Sequence, residues 1–165
     1  MTLAETYDFG AGPVPAHRHS NGGGWVADTA KVDATAYVGG HARVSGSAVV
    51  SGNALLFSGA RVCSDAVVSD YAVVSGDAEV RGSAVVSGDA QVSGDAQVSG
   101  SARVSGDAQV FGHAWVGGDS WVLGNARVSG HAWVSGSAVV SGDAQVFGSA
   151  VVNGNDRVYE GEISE

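Results

Sequence analysis

The sequence is poor in cysteine, proline and aromatic residues, and each shortage excludes a class of protein. Cys63 is the only cysteine, so an internal disulfide framework and a cysteine-based zinc site are both excluded. Proline occurs only at Pro13 and Pro15, which excludes collagen-like and proline-rich disordered chains. Aromatic residues make up 7% of the chain, so any core must be built mostly from small aliphatic side chains.

Positive charge is also scarce. Eight basic residues stand against 17 acidic ones, the net charge is −9, and no Lys/Arg cluster occurs along the chain. Because nucleic-acid affinity rests on basic contacts to phosphates, this composition argues against a nucleic-acid partner. The first residues show no basic segment followed by an apolar run, and no run approaches membrane-spanning length. We therefore predict a soluble protein, cytoplasmic or virion-associated, with no signal peptide, transmembrane segment or membrane partner.

A six-residue repeat accounts for most of the chain. From Trp25 to Asp156 the sequence divides into 22 consecutive hexads of the form x-V-s-G-x-A, without insertion or deletion. One leucine replaces the valine, and one serine and a final aspartate replace the alanine. A helix is excluded, because its apolar residues recur every three or four positions and each internal glycine costs roughly 1 kcal/mol. The pattern predicts instead a short strand around each inward valine, followed by a glycine corner with alanine on its inner side.

Three such sides would close a triangular coil of 18 residues, and coils would stack at about 4.8 Å. Units such as VSGDAQ, VSGSAR and VFGHAW resemble the hexapeptide repeat of left-handed β-helix proteins, in which a small residue follows an aliphatic one by four positions. Here the glycine lies two residues after the valine, whereas that family more often has it one residue after. The expected fold is an all-β, single-stranded parallel β-helix of about seven coils and about 35 Å. The resemblance implies the left hand of the coil.

Three regions are expected. Residues 1–24 do not follow the repeat and, being rich in glycine and proline, predict an irregular N-terminal arm or cap. Residues 25–158 form the β-helix. Residues 159–165 form an acidic tail.

Residues 18 apart stack in columns, so three outer faces can be laid out from the sequence. The first face is the most apolar, and an exposed stripe of this kind is larger than a soluble monomer usually leaves in water. We predict that this face is an oligomer interface, although single outward β-branched residues are also simply good strand formers. The resemblance implies a parallel homotrimer. The candidate interface residues are Val49, Val67, Val85, Trp121, Leu123 and Val139.

One corner departs from the uniform Ser/Asp background. The column places His113 on His131 and Trp115 on Trp133, with Asp95 one coil below His113. These five residues are the candidate ligand site, because an Asp–His pair beside two indoles suits a general base with a stacking platform, or a planar or sugar ligand. Interchange of polar residues at a solvent corner explains the same pattern without a site.

No catalytic residue, cofactor or metal site is predicted. The stacked Asp89 and Asp107 repel each other, which a cation or ordinary solvent screening would relieve. The pair His17 and His19 has no third ligand near it in the sequence.

Three functions follow from these observations. The near-identical units without loops favour a non-catalytic structural or assembly module, attached through residues 1–24. The segment GGGWVADTAKV followed by serial VSG-A units also resembles uncharacterised hexapeptide-repeat proteins that occur in phages and prophages. The family resemblance implies, as an alternative, acyl or acetyl transfer, for which His113 or His131 is the matching residue type. A third alternative is an ice- or small-ligand-binding solenoid, although the outward rows are Val-x-Ser rather than Thr-x-Thr.

Overall fold

The computed structural model describes residues 5–164, which fold into 26 β-strands joined by turns, without a helix in that range. Three parallel sheets form the three outer faces of one solenoid. Within the described residues, no helix has the length and apolar character needed to cross a membrane.

Each sheet takes one strand from every coil. The first face consists of β4 (Lys31–Val32), β7 (Val49–Val50), β10 (Val67–Val68), β13 (Val85–Val86), β16 (Arg103–Val104), β19 (Trp121–Val122), β22 (Val139–Val140) and β25 (Arg157–Val158). The second consists of β5 (Tyr37–Val38), β8 (Leu55–Leu56), β11 (Val73–Val74), β14 (Gln91–Val92), β17 (Gln109–Val110), β20 (Arg127–Val128), β23 (Gln145–Phe147) and β26 (Glu162–Ser164). The third consists of β3 (Trp25–Ala27), β6 (Arg43–Val44), β9 (Arg61–Val62), β12 (Glu79–Val80), β15 (Gln97–Val98), β18 (Trp115–Val116), β21 (Trp133–Val134) and β24 (Val151–Val152), preceded by β1 (Thr6–Asp8) and β2 (Pro13–Arg18).

The strand register confirms the predicted columns. Val67 pairs with Val49 on one side and with Val85 on the other, and the parallel strand pairs of the other faces follow the same offset of 18 residues. The last pair of the second face differs, since Gln145 pairs with Glu162 at an offset of 17. The chain is therefore an all-β parallel solenoid of about eight turns with about 18 residues per turn. The hand of the coil stays a prediction from the resemblance.

The core is a narrow stack of two side-chain types. The inward valines and alanines of the repeat are fully buried along nearly the whole solenoid, and Leu56 is the largest buried side chain among them. Ser120 replaces an alanine and is also buried, because its hydroxyl donates a 2.7 Å hydrogen bond to the Gly117 carbonyl. Between coils, backbone N–H groups donate to carbonyls of the following coil, as from Val67 to Ala84 at 2.9 Å.

Most corners need a left-handed backbone, which explains the glycine in most hexads. Gly100 is typical, with φ of +68° and with its α-carbon directly under the backbone of Gly118. Three consecutive corners lack glycine and hold Ser58, Ser64 and Asp70 at φ of 54°, 63° and 63°. Asp70 stabilises its corner by accepting a hydrogen bond from the Gly88 N–H at 3.1 Å.

The N-terminal region contains regular structure where the composition predicts an irregular arm. Strands β1 and β2 form an antiparallel hairpin, and β2 pairs antiparallel with β3. The Asp8 carboxylate organises the hairpin turn by accepting hydrogen bonds from the N–H groups of Gly10 and Gly12. Pro13 and Pro15 lie within β2, and the Pro15 carbonyl still accepts a bond from the Asp28 N–H. Proline and glycine therefore shape this hairpin rather than preventing it.

Side chains that follow the hairpin bind carbonyls of the first coil. The buried His19 side chain and the exposed Asn21 side chain both hydrogen-bond to the Ala36 carbonyl, at 3.0 and 3.1 Å, and the Gly24 backbone N–H donates to the Val38 carbonyl. These carbonyls would otherwise lie at an open sheet edge.

The other end of the solenoid carries the predicted acidic tail. Asp156 occupies an alanine position without a further coil over it, and its carboxylate accepts a hydrogen bond from the Asn153 N–H. Strand β26 pairs with β23, so part of the tail belongs to the second sheet. Residues 1–4 of the predicted arm and Glu165 of the tail lie outside the described residues, and the region boundaries stay predictions.

Candidate functional site

The two stacked tryptophans of the third face lie against each other as the column predicts. Their rings are 4.3 Å apart between centroids and nearly perpendicular, at 82°. Trp133 is 47% exposed, whereas Trp115 is half-buried. Trp133 therefore offers an indole face to solvent, and Trp115 forms a wall beside it.

Trp115 is held in place by two neighbours in the adjacent column, Ser99 and Gly117. Its indole N–H donates a 3.1 Å hydrogen bond to the Ser99 hydroxyl, one coil below. Gly117 replaces the usual serine, and a β-carbon there would lie 2.9 Å from the Trp115 ring. The indole thus lies flat over Gly117 and covers Ser99, which is only 8% exposed. These contacts hold the Trp115 indole in one orientation, unlike a surface tryptophan that rotates freely.

The predicted histidine column is also present. The rings of His113 and His131 are stacked, 4.9 Å apart and within 4° of parallel. The Nδ1 of His113 lies 3.2 Å from a carboxylate oxygen of Asp95. Both side chains are more than half exposed, at 58% and 56%. The structure thus brings together all five residues of the predicted ligand site.

A shallow cavity of about 210 Å³ lies beside these residues. Its lining includes Trp115, Trp133 and His113, and also Arg81 and Gln97, which the sequence analysis missed. The Nη2 of Arg81 donates to the Gln97 side-chain oxygen at 3.5 Å. The 18-residue period was the available signal, because Gln97 is one coil below Trp115 in the same column.

This arrangement is suited to binding more than to proton transfer. A general base works best where water is excluded, whereas the His113 and Asp95 side chains are both largely in solvent. The indole face, the guanidinium and the amide provide stacking and hydrogen-bond donors without an enclosed reaction chamber.

The predicted interface residues lie in two adjacent outer columns of the first face. Trp121 is 44% exposed, and Leu123 and the four valines are half-buried by their neighbours within the sheet. The guanidinium of Arg103 lies over the Trp121 ring, 5.5 Å from its centroid. Exposed apolar side chains also occur on the third face, where Trp133 and Val151 are more exposed than Trp121.

A second cavity, of about 440 Å³, lies between the hairpin and the first corner. Its lining includes Phe9, Val14, Pro15 and Thr29. The sequence analysis did not identify it, because it depends on how the hairpin folds back.

The hairpin is fixed to the third face by aromatic and cationic contacts. The Tyr7 ring stacks on Trp25 at 4.6 Å, and Arg18 lies 4.1 Å over the same indole. The guanidinium of Arg43 lies 5.4 Å from the Tyr7 ring centroid. The indole of Trp25 is therefore engaged within the chain and differs from Trp133 in this respect.

The remaining polar candidates are engaged locally. His17 contacts Asp28 at 2.8 Å, while His19 bonds to the Ala36 carbonyl, so the two histidines have separate partners. In the stacked acidic column, the Asn125 amide donates to Asp143 at 2.9 Å. Among residues 5–164, no group of three or more His, Cys, Asp or Glu side chains could hold a metal ion.

The Cys63 thiol is half-buried on the third face. Burial, and next the carboxylate of Glu79, raise the pKa of Cys63 above its ordinary value, against smaller opposing effects of Ser64, Arg81 and Arg61. A thiol of raised pKa is less nucleophilic at neutral pH.

Comparison with known families supports the repeat architecture. The family described as "YdcK Beta solenoid repeat" matches residues 36–52, 90–106 and 126–142. The matched segments start three coils and then two coils apart, so each begins at the same position of an 18-residue coil. The chain is thus a β-solenoid repeat protein with coils similar to that repeat. No curated protein is significantly similar to the chain.

Proposed function

We propose that this chain is a non-catalytic structural module that assembles into a homo-oligomer through its first face. The observation that carries the proposal is the outer column of that face, in which half-buried valines and the exposed Trp121 occupy five of six consecutive coils and Arg103 occupies the sixth. A column with so many apolar side chains is typical of a surface that meets a partner.

The charge distribution favours a second copy of the chain as that partner. Because the net charge is −9, two copies that approach each other in most orientations bring acidic surfaces together and repel. The outward strand positions of the first face hold three basic residues, Lys31, Arg103 and Arg157, and no acidic one. This face is therefore a place where two copies can approach with little repulsion.

The size of the face sets the area that association can bury. Eight rungs at about 4.8 Å, and sides of about five extended residues per hexad, give a face of about 35 by 16 Å. Two such faces bury roughly 1,000 Å², the lower limit for a specific interface. A parallel homotrimer, in which each chain contacts two others, would bury more in total and is the arrangement that we favour.

The oligomeric state tests the proposal directly. Light scattering coupled to gel filtration and native mass spectrometry should show an oligomer at micromolar concentration. Val67→Lys places an unpaired charge in the apolar column and should produce the monomer. Val73→Lys is the matched control, since Val73 is an equally half-buried outward valine on the next strand, in the second face. A monomeric wild-type chain, or equal effects of both variants, would refute the interface.

We extend the proposal to a role in a larger assembly. The hairpin at one end carries exposed Val14 and a neighbouring cavity, and the other described residues form a solenoid without inserted loops between the coils. Attachment through residues 1–24 would leave the length of the rod as a spacer, for example in a phage particle. Acyl transfer has only the exposed His113 and His131 in its favour.

A further inference from the structure

We propose that the cavity beside Trp115 and Trp133 binds a pyranose ring that carries a carboxylate group, as a free uronic acid or as a unit of an acidic polysaccharide. The site lies on the third face. It therefore stays open when the first face is occupied by other copies, and it does not depend on the proposed assembly.

The aromatic part of the site is built for stacking. Trp133 exposes 47% of its surface, and Trp115 stands perpendicular to it at 4.3 Å. Trp115 cannot turn away easily, because Ser99 binds its N–H and the lack of a side chain at Gly117 seats its ring. A right-angled pair of indoles offers one face to the C–H groups of a sugar ring and one edge to its rim.

The polar part of the site provides donors for an acidic group. Arg81 has five N–H donors, of which one is used by Gln97 at 3.5 Å. Its Nε is 4.0 Å from Glu79, which is too long for a hydrogen bond. The guanidinium thus retains donors for a carboxylate, which it can bind in bidentate geometry. The Gln97 amide adds N–H donors for ring hydroxyls.

His113 supplies an acceptor on the same side. Its Nδ1 faces the Asp95 carboxylate at 3.2 Å, which favours the proton on that nitrogen. The Nε2 of the neutral ring is then free to accept a hydrogen bond from a sugar hydroxyl. Stacking surface, cationic donors and one acceptor together match an acidic sugar better than an apolar ligand.

The dimensions and the charge limit the ligand class. A volume of about 210 Å³ is below the range of sites for drug-sized molecules and suits one ring. Single-stranded nucleic acid also stacks on tryptophan, but it needs a groove of positive charge along its backbone. Here Arg81 is the one basic lining residue, in a chain of net charge −9.

Indole N–H signals in two-dimensional ¹⁵N NMR spectra test the proposal, because the four tryptophans report separately. The probes are D-galacturonate, tri-galacturonate, D-galactose and, as an ionic control, acetate. We expect galacturonate to shift the signals of Trp115 and Trp133 in a saturable manner and to leave Trp25 and Trp121 unshifted. Acetate should shift none of them, and galactose should bind more weakly than galacturonate. Tighter binding of tri-galacturonate than of the single sugar would identify a polysaccharide as the natural source.

Matched variants separate the site from the rest of the surface. Trp133→Ala should weaken galacturonate binding by about tenfold, the value of one stacking contact, whereas Trp121→Ala, at a similarly exposed tryptophan, should leave it unchanged. Arg81→Gln should abolish the preference for galacturonate over galactose, and Arg127→Gln on the second face should retain it. Circular dichroism and melting temperature confirm folding of each variant.

Three results would overturn the proposal. These are the absence of saturable shifts at Trp115 and Trp133 up to high galacturonate concentration, equal losses in the Trp133 and Trp121 variants, and tighter binding of a dT oligonucleotide than of tri-galacturonate.

Discussion

Alanine at a corner glycine tests how closely the coils of this solenoid stack. Gly100 and Gly154 belong to the same corner column and have nearly the same backbone, with φ of +68° and +62°. They differ in what lies over them. A β-carbon at Gly100 would meet the Gly118 carbonyl oxygen at 2.7 Å and its nitrogen at 2.9 Å, whereas one at Gly154 would meet no atom within 4 Å.

The magnitudes follow from this difference. A left-handed conformation costs a residue with a β-carbon about 1–2 kcal/mol, and the reduced entropy of the unfolded chain offsets about 0.5–1 kcal/mol of that. Gly154→Ala should therefore lower the free energy of unfolding by about 0.5–1 kcal/mol. Gly100→Ala must also displace the backbone of the next coil, and overpacking of this kind adds about 1–3 kcal/mol. We expect a total loss of about 1.5–4 kcal/mol.

A third variant makes the comparison quantitative. Gly112 has the same backbone, but its closest contacts would be 3.1 Å, so Gly112→Ala should fall between the other two. Urea unfolding followed by circular dichroism gives the three free energies, with unchanged m-values as the check that only stability has changed. Equal losses in the three variants, or the largest loss at Gly154, would refute the argument that coil contact rather than backbone conformation dominates the cost.

Two further predictions concern the core and the thiol. Val98→Ala leaves a cavity in the buried valine column and should lower the free energy of unfolding by about 2 kcal/mol. Gln97→Ala, outward on the same strand, should change that free energy by less than about 0.5 kcal/mol. Equal losses in urea unfolding would contradict the assigned orientation of this strand. Because burial and the Glu79 carboxylate raise the pKa of Cys63, its thiolate fraction at pH 8 is small, and iodoacetamide should alkylate it more slowly than a free cysteine. Glu79→Gln should lower that pKa and increase the alkylation rate at pH 8, and an unchanged rate would show that the carboxylate has no influence on the thiol.

Part of the candidate site could be predicted from the period alone. Since every hexad has the same length, Trp115 and Trp133 had to fall in one column, and so did His113 and His131. The contribution of Arg81 was harder to predict, because Arg81 does not share the column of Trp115 and Trp133. It lies in the adjacent column, two coils below Gly117. Its side chain reaches the site only through the direction that it takes along the face.

The N-terminal hairpin shows where composition misled. Glycine and proline in residues 1–24 are typical of irregular segments, and the sequence offered no repeat to set a register there. The hairpin instead depends on contacts with the solenoid, such as Tyr7 on Trp25 and the pairing of β2 with β3. Local composition does not encode such contacts.

The sequence by itself determined the architecture of this protein, because a fixed six-residue period leaves one way to bury every valine and alanine while each corner falls on glycine or a tolerated substitute. It also determined which residues share a column. Only the tertiary structure decided how the outward side chains lie, since the direction of each one depends on its neighbours in the coils above and below. The indole of Trp115 lies flat because Gly117 leaves room for it and Ser99 binds it, whereas the Trp133 indole stands nearly perpendicular to it and is 47% exposed.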